Sequence, residues 1–171
     1  MKRILSALLA LFLLLSLCAC DPDQEGTTRF YYQRTNFQYG SGTEDGVIAP
    51  EKRNITGHGE DLSYLVSLYL AGPLDEELVS PFPKDVRTLR AEQIVSRVYV
   101  ELSDVGTELS DSQFSLACAC LSLTLLDLTN AYEVTIVSGE RILSLTRDQL
   151  TLADNVTEHD ATLATDTEVS Q

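Results

Sequence analysis

Positive charge is scarce in this chain. Twelve Lys and Arg stand against 26 Asp and Glu, giving a formal net charge of −14. Such a field repels phosphate backbones and anionic headgroups, which argues against nucleic acid and against attachment through a basic patch. Histidine is scarcer still, with only His58 and His159. A Ser-His-Asp set or a histidine-built metal centre therefore has almost nothing to draw on. The glycines of Tyr39-Gly40-Ser41-Gly42-Thr43 make a turn, but no lysine follows at the spacing of a phosphate loop. No cofactor, no metal site and no catalytic residue is expected, and the chain is read as a non-enzyme. Cysteine is limited to Cys18, Cys20, Cys118 and Cys120, which is too few and too closely spaced for a disulfide framework.

A long apolar run is missing as well. Ile4 to Leu17 is broken only by Ser6 and Ser16, and its 14 positions reach about 21 Å as a helix, short of a ~30 Å hydrocarbon core. With Lys2 and Arg3 ahead of it, the run reads as the h-region of a signal peptide spanning residues 1–19. It closes on Leu17-Cys18-Ala19-Cys20, a lipobox: an aliphatic residue three before a cysteine and a small residue directly before it. Cleavage is expected between Ala19 and Cys20, with Cys20 as the acylated thiol; Cys18 follows the bulky Leu17 and suits the peptidase less well. The alternative is an ordinary secretory signal cut near Ala19. The motif resembles that of bacterial lipoproteins, in which the modified cysteine carries diacylglycerol and often an amide-linked chain, palmitate being the expected kind. One acyl chain anchors weakly and two or three durably. Loss of residues 1–19 removes Lys2 and Arg3 and takes the formal charge from −14 to −16.

Residues 20–28 are short, polar and acidic and read as a tether. A single domain is expected over residues 29–152. Arg29 to Gln38 is rich in aromatics and reads as a first strand facing the core; the alternative has Phe30, Tyr31 and Tyr32 exposed as an aromatic contact surface. Val47 to Thr56 is expected to be a loop with a short extended piece, since Pro50 interrupts it. Asp61 is placed to cap a helix whose Leu62, Leu65, Val66 and Tyr69 recur at helical spacing and which Gly72-Pro73 ends. His58 beside Glu60 and Asp61 suggests a metal, but flexible glycines flank it, and a solvated loop is the plainer reading. Asp75, Glu76 and Glu77 likewise read as hydrated carboxylates rather than an acid-base pair.

Val86 to Glu92 and Arg97 to Leu102 read as strands, the second alternating Val98, Val100 and Leu102 inward. Ser110 and Gln113 form a capping box for a helix carrying Phe114, Ala117, Cys118, Leu121, Leu125 and Leu128 at helical spacing. Leu116, Cys120, Leu123 and Leu126 widen its apolar surface, so it is expected to be buried on more than one side, with both thiols in the core. Tyr132 to Val137 alternates as a strand, and another is expected from Arg141. Residues 153–171, sparse in apolar side chains, read as a disordered acidic tail.

Leu70-Ala71-Gly72-Pro73, then Leu78-Val79-Ser80-Pro81-Phe82-Pro83-Lys84-Asp85, Val100-Glu101-Leu102-Ser103, a long helix and a strand into Gly139-Glu140 together resemble the GerM domain of bacterial sporulation and spore-germination lipoproteins. The resemblance covers roughly Phe30 to Leu145. The chain departs from that pattern in lacking Asp-Gly at Gln93 to Ser96 and in holding one copy of the domain where some members hold two. The resemblance implies an α+β fold of ring-building type: a small mixed or antiparallel sheet packed on two helices in βαββαβ-like order. It also implies a function by protein-protein contact, without catalytic residues to carry over. The chain is thus expected to be a lipid-anchored interaction or scaffold module at the outer face of the bacterial cytoplasmic membrane, its partners being envelope or sporulation proteins. A homo-oligomer stays open, and a cell-envelope enzyme or small-ligand-binding lipoprotein is the alternative.

Overall fold

The computed structural model of this protein describes residues 27–36, 46–55, 57–59 and 61–150. In chain order the elements are β1 (Thr27–Arg34), β2 (Ile48–Asn54), α1 (Leu62–Leu70), β3 (Leu78–Val79), β4 (Thr88–Ile94), β5 (Arg97–Leu102), α2 (Asp111–Leu128), β6 (Glu133–Ser138) and β7 (Arg141–Thr146), with a closing 3-10 turn at Arg147–Gln149. The α+β class is as expected, but the strands form two sheets instead of one. A three-stranded sheet has the order β2-β1-β3, and a four-stranded sheet has the order β4-β5-β6-β7. Among the described strands only the β5/β6 pair is parallel, and α2 is the crossover between its strands. β1 begins at Thr27, two residues inside the stretch read as tether. The leader, Ala19, Cys20 and the tail lie outside the described residues.

Helix α2 forms where the sequence places it. Ser110 accepts from the Gln113 amide, and the Gln113 side chain accepts from the Ser110 amide at 2.9 Å, so two otherwise orphaned donors are satisfied. Phe114, Ala117, Cys118, Cys120, Leu121, Leu125 and Leu126 are all buried, spread around much of the circumference. The reason is position: α2 packs against β1 of one sheet and against β6 and β7 of the other. Each large apolar side chain so buried stabilises by about 1.5–3 kcal/mol before entropy is counted. Opposite it, Val98, Val100 and Leu102 of β5 and Val134 and Ile136 of β6 point inward, all at most 1% exposed.

Pro50 does not break β2. It sits opposite Tyr31 in an antiparallel pair on the edge of its sheet. The Tyr31 amide turns away from β2 to the Thr124 hydroxyl at 2.9 Å, so this is a pair without ladder bonds and the missing proline donor costs none. The expected loop is therefore a full edge strand. β3 is only two residues long and pairs with Gln33 and Arg34, leaving the same edge of β1 open at Tyr31. Two helices close it: Thr124 of α2 accepts from the Tyr31 amide, and the Tyr69 hydroxyl of α1 donates to the Tyr31 carbonyl at 3.0 Å.

Strand β4 starts and ends two residues later than the alternation suggests, and it joins β5 through the two-residue turn Val95-Ser96. The β6/β7 hairpin turns through Gly139-Glu140 in the same way. The first turn residue has positive φ in both, +57° at Val95 and +59° at Gly139. Glycine takes this conformation freely, whereas a β-branched side chain is strained there. Val95→Gly is accordingly expected to raise stability by about 1 kcal/mol, read as a higher urea midpoint at unchanged slope.

Candidate functional site

Aromatic residues of β1 form the centre of the molecule and not its surface. Phe30, Tyr31 and Tyr32 are at most 2% exposed, so the contact-surface alternative falls and the strand-core reading stands. Tyr32 stacks on Tyr69 of α1, with ring centroids 4.8 Å apart and planes 9° from parallel. Its hydroxyl donates to the Tyr69 carbonyl at 3.1 Å, and burial raises the pKa of both phenols well above the ordinary tyrosine value. Tyr31 points its hydroxyl to Asp127 of α2 at 2.6 Å. Burial first, and then that carboxylate, raises the Tyr31 pKa, while Arg29 opposes the shift.

Beside this cluster lies a buried ion pair that sequence reading passed over. Glu51 and Arg53, two apart on β2, share a side of the strand and bond each other, with side chains 10% and 8% exposed. The Arg53 guanidinium lies 5.6 Å from the Phe30 ring centre and 6.0 Å from that of Tyr32, and donates to the Gly72 carbonyl at 2.7 Å, just past the end of α1. Cations are favoured at such a terminus. Glu51 also accepts from the Leu74 and Asp75 amides, both at 2.8 Å, and so pins the loop after α1. The signal was present in Glu51-Lys52-Arg53, opposite charges at strand spacing, once Pro50 is taken as the mark of an edge.

A groove of about 1100 Å³ runs between the Gly57-His58-Gly59 loop, the start of α1, Ala91 to Gln93 of β4 and Leu128 to Asn130 at the end of α2. Its titratable groups are engaged in structural roles. Asp61 caps α1 by accepting from the Tyr64 amide at 2.9 Å, Glu92 pairs with Arg90 at 2.8 Å, and the exposed His58 ring stacks on Tyr64 at 4.2 Å. Asp75, Glu76 and Glu77 are exposed at the surface, as the hydrated reading has it. Among the described residues no group of three His, Cys, Asp or Glu side chains is placed to hold a metal, and no helix is long and apolar enough to cross a membrane.

Cys118 and Cys120 are free and fully buried on α2. Burial pushes the Cys118 thiol up to about 12 and Cys120 higher, the nearby Arg141 drawing Cys118 down only slightly. Both thiols are therefore expected to resist alkylation at pH 8 in the folded protein and to react once urea unfolds it. The pH dependence follows in sign. Cys118, Cys120, Tyr32 and Tyr69 keep their protons in the fold above the pH at which the unfolded groups release them, near 8.5 for cysteine and 10 for tyrosine. Their contribution is complete below about pH 8.5 and is lost as pH rises, so a urea midpoint falling from pH 8 to pH 11 is the expected result.

The four-stranded sheet has one face on α2, and no described element covers the other. On that outer face the register aligns Arg90 with Glu101 and Val137, Glu92 with Tyr99, Thr135 and Ser144, and Arg97 with Glu133, and none of these residues is buried. Arg97 bonds Glu133 at 3.0 Å, Thr135 meets Ser144 at 2.8 Å, and Arg90 lies 6.0 Å from the Tyr99 ring centre. Such a ladder of paired charges around a tyrosine makes the middle of this face polar, with the exposed Ile94 and Ile142 toward its two ends.

Fold and surface together define a small α+β domain with a packed aromatic centre and one open sheet face. No protein-family model matches the chain, and no curated protein matches it. Among solved structures it is similar to a candidate lipoprotein from Clostridium perfringens, at 16% identity over 71% of this chain and 87% of that one, with a TM-score of 0.44. It is also similar to the tandem GerMN domains of the sporulation protein GerM from Bacillus subtilis, at 17% identity and a TM-score of 0.45, covering 78% of this chain and 44% of that one. The first GerMN domain of the same protein is similar at 12% identity and a TM-score of 0.46, covering 68% of this chain and 85% of that one. The GerM structures come from the family that the order of the sequence motifs resembles.

Proposed function

We propose that this chain is a lipid-anchored docking module of the bacterial envelope, acting in sporulation or spore germination through protein-protein contact and without chemistry of its own. The observation that carries it is Leu17-Cys18-Ala19-Cys20 at the close of a short apolar leader, with Cys20 as the acylated residue. The open sheet face around Tyr99 supports the docking role, because it offers paired charges and an aromatic ring without a described element covering it. The test is crosslinked pull-down from native membranes. Wild-type protein is expected to stay on membranes through a carbonate wash and to recover envelope proteins. Cys20→Ala is expected to be soluble and to lose them, and Tyr99→Asp to keep the anchor while losing them. Membrane retention of Cys20→Ala after the wash refutes the anchor; undiminished recovery with Tyr99→Asp refutes the face.

A further inference from the structure

We infer that the tip of the β4–β5 hairpin, together with Tyr132, touches the same bilayer that holds the anchor and sets the orientation of the domain on it. This inference rests on the reading of Cys20 as acylated. Val95 is 90% exposed, Ile94 60% and Tyr132 55%. They form one patch, since the Tyr132 amide donates to the Ser96 carbonyl at 2.7 Å. The remaining exposed large apolar side chains of the four-stranded sheet, Leu89 and Ile142, sit at the opposite ends of their strands.

The chain enters the domain at this same end. Arg29 and Tyr31 face Asp127 near the end of α2, whereas Gln33 lies beside Gln113 at its start, so the start of β1 points toward the end of α2, from which the chain runs directly into Tyr132. Thr27 lies seven residues after Cys20, a distance of at most about 25 Å at full extension. An acyl group on Cys20 therefore keeps this end of the domain near the headgroups and raises the effective concentration of the patch at the bilayer. Three exposed arginines lie toward it: Arg97 directly follows the turn, the Arg147 amide donates to the Tyr132 carbonyl at 3.2 Å, and Arg29 shares Asp127 with Arg147. The acids facing them are Asp127, Glu133 and Asp148, the last held by the Tyr132 hydroxyl at 3.0 Å. Among these six side chains three positive and three negative charges balance, in a chain that is otherwise strongly acidic. Two aliphatic side chains and a tyrosine with arginines beside them suit an interfacial depth, with the guanidiniums among headgroups. A second copy is a poorer occupant, because a stable dimer needs about 800 Å² from each partner and three side chains fall short.

Val95 itself adds an independent argument. The equivalent turn position in the other hairpin is Gly139, at nearly the same φ. Keeping a strained valine at the most exposed apolar position makes sense if its side chain has a use outside the fold.

The chain contains no tryptophan, so single substitutions give clean reporters. Full-length Val95→Trp, Tyr132→Trp and Ile142→Trp proteins, purified from membranes, are reconstituted into vesicles of phosphatidylethanolamine and phosphatidylglycerol containing brominated acyl chains. Flotation reads the anchor and quenching reads contact. The expected result is blue-shifted, quenched emission at positions 95 and 132 and unshifted, unquenched emission at 142. Adding Ile94→Asp to the Tyr132→Trp protein is expected to lower the docked fraction about tenfold. Protein that floats with an unquenched tryptophan at both 95 and 132 overturns the docking and leaves the anchor standing. Equal quenching at 142, or a blue shift that grows with protein density without quenching, also overturns it, the latter assigning the tip to a second copy. Protein that does not float, with an unacylated Cys20 by mass, overturns the anchor and the docking together.

Discussion

Glu51→Ala is expected to be among the most damaging single substitutions in the domain, at about 3–5 kcal/mol, because it leaves the buried Arg53 guanidinium without its counter-charge. The pair is enclosed, with both side chains at most 10% exposed, so solvent cannot take over the lost charge cheaply. Arg53 would keep its bond to the Gly72 carbonyl and its place against the Phe30 and Tyr32 rings, which supply partial compensation and no negative charge. The Leu74 and Asp75 amides that Glu51 also serves lie at the exposed surface, where water can replace the carboxylate. Removing both charges as Glu51→Met with Arg53→Met is therefore expected to cost well under half of the single change, since no charge is left stranded. Urea titration of the two variants decides it. A double variant as unstable as Glu51→Ala would mean that the loop contacts, and not the pair, supply the stability.

The pair also marks where sequence reading stopped short. Periodicity locates α1, α2, β5 and β6 well because each buries one continuous set of side chains, such as Val98, Val100 and Leu102, and burial is what the pattern records. It fails at β2, where Pro50 reads as an interruption although the strand lies on an edge and forfeits no ladder bond. It fails at β3, whose two residues are too few to show a period. Without those strands the second sheet is invisible, and a single sheet is the natural conclusion. The candidate site divides in the same way. Burial of Cys118 and Cys120 follows from helical spacing, but the face around Tyr99 depends on the register of four strands, which no local motif encodes. Ala19 and Cys20 are legible as a motif alone and lie outside the described residues.

Tyr69 makes the strongest case for reading edge closure as a source of stability. Its ring packs on Tyr32 and lies 6.2 Å from Phe30 and 6.4 Å from Phe82, and its hydroxyl supplies the Tyr31 carbonyl with the partner that β3 is too short to give. Tyr69→Ala removes both and is expected to cost about 3–5 kcal/mol, the range for deleting a buried aromatic. Tyr69→Phe keeps the stack and deletes only the donor, leaving the Tyr31 carbonyl unpaired in a dry interior at an expected cost of about 1–3 kcal/mol. Thr124→Val is the matching change on the other side, removing the acceptor for the Tyr31 amide while nearly preserving volume. If the two helices close the same gap in β1, Tyr69→Phe and Thr124→Val will couple: once one bond is lost and β1 shifts, the second loss costs less than it does alone. Urea unfolding of the two single variants and the double variant measures that coupling. Strict additivity would mean that the two hydroxyls stabilise β1 independently and that the helices do not act as a substitute strand.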